Sequence, residues 1–136
     1  MSDCKHFGMC GGCAYRHIPY EKQLENKENE VKELIGEYID ENCVFEGIIP
    51  SPQIEGYRNK MEFSFGDAKK DGPLELGMHK KGSFYDIVTV DECKIVDEDY
   101  RTIIKETVAY CRGKETSYYH KKSHEGYLRH LLVRKG

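Results

Sequence analysis

The stretch from Tyr57 to Val90 constrains the fold more than any other part of this chain. In "KMEFSF", Met61, Phe63 and Phe65 alternate with Lys60, Glu62 and Ser64. A period of two puts the apolar side chains on one face of an extended segment and the polar ones on the other, which predicts a half-buried strand. "DAKKDGP" is rich in turn formers, and "LELGMHKK" alternates again through Leu74, Leu76 and Met78. After the Lys81–Gly82 turn, "SFYDIVTV" reads as a third strand. Three consecutive strands with short connections predict an antiparallel meander.

Two segments switch to a helical period. "PYEKQLENKENEVKELIGEYI" sets Leu24, Val31, Leu34, Ile35 and Tyr38 on one stripe, predicting an amphipathic helix that starts near Pro19 and includes Gly36. Tyr100, Ile103, Ile104, Thr107, Val108 and Cys111 predict a second helix, with Asp97, Glu98 and Asp99 at its positive end. "IIPSPQIEGYRNK" is an irregular connector, and "GYLRHLLVRKG" reads as a last strand. The expected fold is α+β: an antiparallel sheet with two packed helices. At 136 residues the chain has the length of one domain. No run of eighteen apolar residues exists to span a membrane, and "MSDCKHFG" lacks the pattern of a secretory signal. The expected compartment is the cytoplasm, where thiols stay reduced and cysteine clusters favour metals over disulfides.

Three of the six cysteines fall within "CKHFGMCGGC". Cys4, Cys10 and Cys13 form C-x5-C-x2-C, and soft thiolates of this kind suit iron or zinc. Gly11 and Gly12 allow the backbone to fold tightly between the last pair. Three ligands leave one corner of a tetrahedron open. Cys43 and Cys111, each among apolar residues, read as small core side chains. Cys93, at a strand-to-helix junction, is the candidate for a distant fourth ligand, a three-plus-one pattern common for a [4Fe–4S] cluster. Zinc remains an alternative, and His6 or His17 are alternative ligands.

Charge is distributed unevenly. Residues 21–46 hold nine acidic and three basic side chains, a solvated face. Residues 112–136 hold seven basic and two acidic ones, interleaved with Tyr118, Tyr119 and Tyr127. Cations among aromatics can meet phosphates and stack on bases. The RNA-contact candidates are Arg58 and Lys60 in "YRNK" and Arg129 and Arg134 in "LRHLLVR", with the plain solvated strand edge as the other reading. Along a strand, Arg129 and His130 are expected on opposite faces.

"CKHFGMCGGCAYRHIPYEKQLENK" resembles the cluster-binding segment of the S-adenosylmethionine-dependent RNA uracil-C5 methyltransferases, the iron–sulfur-containing bacterial 23S ribosomal RNA group. The likeness continues through "GYRNKMEFSFG", "LELGMHKKGSFYDIVTVDEC" and "YLRHLLVRKG", covering nearly the whole chain. The resemblance implies a [4Fe–4S] cluster on Cys4, Cys10, Cys13 and Cys93, with residues 1–18 as the cluster loop. It implies ribosomal RNA as partner and S-adenosylmethionine as methyl donor of the full-length enzyme. In that family a cysteine adds to C6 of uracil, C5 then attacks the sulfonium methyl, and a base removes the C5 proton as the cysteine departs.

The chain departs from the family pattern, and the oligonucleotide-binding barrel that some members carry ahead of this region is not expected in it. No Gly-rich strand–loop–helix suited to S-adenosylmethionine is present, and no residue matches the nucleophile or the base. Residues 1–136 are therefore expected to be the iron–sulfur and RNA-contacting central region, truncated before a Rossmann-like catalytic domain. No catalytic or S-adenosylmethionine-binding residue is assigned, and Cys43 and Cys111 are not nucleophiles. The competing readings are a small iron–sulfur electron-transfer protein and a zinc-binding RNA module.

Overall fold

The alternating segments pair into one four-stranded antiparallel sheet. β1 (Lys60–Asp67), β2 (Leu74–His79) and β3 (Ile87–Thr89) form the expected meander. β4 (His130–Arg134) closes on the other edge of β1, giving the order β3-β2-β1-β4. The computed structural model describes residues 4–136, so residues 1–3 of the expected cluster loop lie outside the described residues. The third strand is shorter than "SFYDIVTV" implies. Ser83 Oγ accepts from the backbone N–H of Tyr85 at 3.3 Å and of Asp86 at 3.1 Å, which holds these residues in a turn rather than a ladder.

Strand register separates the two faces. Phe63 lies opposite Leu131, Met61 opposite Val133 and Phe65 opposite Leu76, so the large apolar groups share one face. Ser64 opposes both His130 and Gly77, and His79 opposes Ile87, which places these residues on the other face.

Helix α2 (Glu98–Gly113) covers the apolar face. Asp97 caps it by accepting from the Asp99 N–H at 3.0 Å, satisfying a donor that the first turn leaves open. Tyr100, Ile104, Val108 and Cys111, spaced to lie on one stripe, are all buried. They meet Phe63, Leu76, Val90 and Val96 in one core. Complete burial of each such aliphatic or aromatic side chain is worth roughly 1.5–3 kcal/mol.

Helix α1 (Tyr20–Ile35) forms between Pro19 and Gly36 but does not join this core. None of its residues is buried, so the expectation of two helices packed on the sheet holds for α2 alone. Leu34 is 68% exposed, and Tyr38, in the 3-10 turn Gly36–Tyr38 that follows, is 80% exposed. Gly36 thus begins the 3-10 turn instead of continuing the α-helix. What holds α1 is the connector. The Ser51 N–H donates to Tyr20 Oη at 2.7 Å, the Ile48 N–H donates to a Glu28 carboxylate oxygen at 3.4 Å, and Lys32 lies 5.1 Å from the Phe45 ring centroid. Because this connector is itself exposed, Cys43 is exposed too, and its expected place in a core is overturned. Cys111 is buried as expected.

Candidate metal centre and nucleic-acid contacts

The cysteine loop is laid against the end of β2 by backbone bonds. The Gly11 N–H donates to the His79 carbonyl at 2.9 Å, and the Lys81 N–H donates to the Met9 carbonyl at 2.7 Å. Neither Gly11 nor Gly12 has a positive φ; space is what they provide. A Cβ on Gly11 would stand 3.1 Å from the His79 oxygen, tighter than ordinary packing. A second set of contacts joins this loop to residues 91–93. Lys5 pairs with Glu92 at 2.7 Å, and the Glu92 N–H donates to His6 Nε2 at 3.2 Å.

These two anchors bring the loop and the segment after β3 around one small cavity of about 20 Å³. Cys4, Cys10, Cys13 and Cys93 all line it. The rest of the wall is mainly apolar, from Phe7, Met61, Met78, Val90 and Ile95. Burial raises the thiols of Cys10, Cys13 and Cys93 above the ordinary cysteine value, and each would be raised further by its sulfur neighbours. Opposing this, the Gly12 N–H donates to Cys10 Sγ at 3.3 Å, backbone N–H groups of Ile95 and Val96 favour a thiolate at Cys93, and Arg16 and Arg58 favour one at Cys13. Ligation must therefore displace protons from these sulfurs.

Among the described residues, no three His, Cys, Asp or Glu side chains stand close enough together to hold a single metal ion. A tetrahedral zinc site needs its sulfurs about 2.3 Å from one point. A cubane offers a separate iron to each thiolate, so its ligands stand further apart around a larger object. All-thiol donors, N–H···S bonds and an apolar shell suit a thiophilic metal group in general. His6 also lines the cavity, but its Nε2 already accepts the Glu92 N–H. His17 lies against Phe7, ring centroids 5.9 Å apart, and is not among the lining residues.

The four RNA-contact candidates do not form one patch. Arg58 is beside the cysteines: it donates to Met61 Sδ at 3.8 Å and its charge acts on Cys13. Lys60 and Arg134 are exposed cross-strand partners at the end of the β1–β4 pair. Arg129 directly precedes β4, and its carbonyl accepts from the Phe65 N–H at 3.0 Å, continuing the ladder. Arg129 and His130 both border one further cavity, as do Phe65 and Gly66, neighbours on opposite faces of β1. This second cavity, about 150 Å³, lies on the sheet face opposite α2. Sequence reading missed His79, Tyr85 and Ser64, which line it too. Their signal was the polar set of the period-two pattern, which marks a face without saying what is built on it.

No family model matches the chain. It is 53% identical over 132 residues to an RNA methyltransferase of Clostridium tetani, with 97% of this chain and 29% of the relative covered. It is 32% identical to the tRNA (uracil(54)-C(5))-methyltransferase of Pyrococcus abyssi, over 98% of this chain and 30% of that protein. The crystal structure of the P. abyssi enzyme with S-adenosyl-L-homocysteine superposes with a TM-score of 0.73 at 29% identity, covering 93% of this chain and 28% of that one. The chain thus spans about 29% of the length of the curated relatives it matches. In sequence and in fold, the chain is similar to one segment of these RNA methyltransferases.

Proposed function

We propose that this chain is the iron–sulfur and RNA-contacting segment of a cytoplasmic, S-adenosylmethionine-dependent enzyme that methylates C5 of a uracil in ribosomal RNA. The observation that carries the reading is the meeting of Cys4, Cys10, Cys13 and Cys93 around one apolar cavity in a chain related throughout to RNA methyltransferases. The donor set and the dry wall fit a [4Fe–4S] cluster, which would be held by those four thiolates. When bound, the cluster supplies a covalent tie between the opening loop and the segment after β3. Methyl transfer moves no net electrons, so redox change at the cluster is not required.

The chain's own residues then have definable tasks. Lys5, His6 and Gly11 hold the loop in place through Glu92 and His79. Arg58 sits near the cysteines and offers its charge to an RNA backbone close to the cluster, while Lys60 and Arg134 offer theirs at the sheet edge. Presenting a uracil for attack at C6 requires the base to leave its stack, at a cost of a few kcal/mol. Contacts to flanking nucleotides offset that cost, and this segment supplies such contacts. The nucleophile, the base and the methyl donor site belong to the rest of the enzyme.

Anaerobic reconstitution of the 136-residue chain with iron and sulfide tests the assignment. The expected product is brown, with about four irons and four sulfides per chain. Cys93→Ser should lose most of that colour and iron, whereas Cys43→Ser should keep both. A Cys93→Ser protein with a full complement of iron and sulfide would refute the four-cysteine site. A second reading of the RNA target exists because the Pyrococcus relatives are named for transfer RNA. Methylation by the intact enzyme of 23S ribosomal RNA and not of transfer RNA is the outcome that supports the ribosomal target.

A further inference from the structure

The cavity on the open face of the sheet has a form that the cluster does not explain. Its floor is built from β1, β2, β3 and β4 through Ser64, Gly66, His79, Ile87 and His130. Gly66 keeps that floor flat, since a Cβ there would stand 2.6 Å from the Ile87 side chain. One wall is Tyr85; the other is the run from Tyr118 to Lys121. Gly126, with φ of +106°, lets this second wall form. A side chain there would collide with the Tyr118 carbonyl, and the Tyr119 N–H donates to the Leu128 carbonyl at 2.8 Å in the same small loop.

Resting on the reading of this chain as an RNA-contacting segment, we propose that this cavity receives one unstacked base of single-stranded RNA, with the neighbouring phosphates on Arg129 and Lys121.

Size is the first argument. At about 150 Å³ the cavity falls well below the roughly 300–1,000 Å³ typical of sites for drug-sized ligands. One ring system fits that scale; a whole S-adenosylmethionine does not. The second argument is the pairing of rings with cations. The Arg129 guanidinium carbon is 3.7 Å from the Tyr119 ring centroid, Lys121 Nζ is 4.2 Å from that of Phe84, and Lys122 Nζ is 5.0 Å from that of Tyr85. Rings beside cations are how proteins hold single strands, because every base has a π-face and every nucleotide a phosphate. Here Arg129 covers one face of Tyr119, and Phe84 and Lys122 stand just outside the lining. The third is an unmet hydrogen bond. His79 Nδ1 is buried with no partner, and a buried polar atom of this kind is costly unless something bonds to it. Burial, with Lys121 and His130 nearby, depresses the His79 pKa and so favours its neutral ring. Asp67, the carboxylate in the lining, accepts from Tyr118 Oη at 2.8 Å and so turns one acceptor away from incoming phosphate.

The test uses the full 136-residue chain and a fluorescein-labelled single-stranded RNA carrying one 4-thiouridine. Anisotropy at fixed salt should show binding. Tyr119→Ala should weaken it by roughly 5- to 100-fold, while Tyr119→Phe, which keeps the ring, should bind as the parent does. Replacing the occupying nucleotide with an abasic one should cost about as much as Tyr119→Ala. Irradiation should attach the thiouridine to the peptide holding residues 118–130. Equal binding by parent, Tyr119→Ala and Arg129→Ala overturns this proposal while leaving the RNA-contact reading standing. Cross-links confined to other peptides do the same, as does full binding of the abasic strand. No binding of any RNA by the parent chain overturns both. Displacement of bound RNA by a tyrosine-bearing peptide at equal concentration would overturn the choice of RNA as occupant.

Discussion

His79 shows how much one residue's position decides. Its neighbour Met78 lines the cysteine cavity on one face of the sheet, and His79 lines the aromatic cavity on the other. The His79 carbonyl meanwhile receives the Gly11 N–H of the cysteine loop. Burial, then the charges of Lys121 and His130, lower the pKa of the ring from its ordinary 6.5. A group whose folded pKa is depressed contributes stability that is complete above the unfolded value and is lost as pH falls through the folded one. Stability should accordingly decline as pH drops below about 6.5. His79→Gln should flatten that decline, read as the urea midpoint against pH. Identical slopes for the parent and the variant would show that His79 contributes nothing to the acid sensitivity.

At the level of elements, the two helices separate cleanly. Both carry an apolar stripe at helical spacing, yet α2 buries Tyr100, Ile104, Val108 and Cys111 while α1 buries nothing. The sheet has one apolar face, and α2 already covers it. Truncating Ile104, which is completely buried, should cost about 2–5 kcal/mol in denaturant unfolding. Leu34→Ala, on the exposed stripe of α1, should change stability by no more than about 0.5 kcal/mol. Comparable losses from the two would mean that α1 is packed as tightly as α2. The strands reflect the same principle at smaller scale. β1 kept its whole alternating length, whereas the third strand shrank to three residues because Ser83 drew its first half into a turn.

On the scale of the whole molecule, the chain presents two cavities on opposite faces of one sheet, one lined by sulfur and one by rings and cations. The sequence carries no Gly-rich strand–loop–helix motif of the kind a sulfonium methyl donor binds, and Cys111 is buried. The 136-residue chain incubated with RNA and methyl-labelled S-adenosylmethionine should therefore incorporate no label. Labelled 5-methyluracil in the digested RNA would reveal a catalytic site within these residues.

Much of this was legible from residue order alone. Alternation at 61, 63 and 65 fixes which side chains share a face, because successive residues of a strand point opposite ways. The spacing of Tyr100, Ile104, Val108 and Cys111 does the same for α2, and C-x5-C-x2-C sets three thiols within one short loop. Periodicity, however, records only that a stripe is apolar, not whether a partner surface remains for it; hence the exposure of α1 and of Cys43. Nor does spacing report what meets across the sheet. That Arg129 lies over Tyr119, and that both border the same cavity as His130, depends on Gly126 admitting the loop beside β4. Those contacts join residues up to 66 positions apart, as Ser64 and His130 are, and only the closed chain sets such distances.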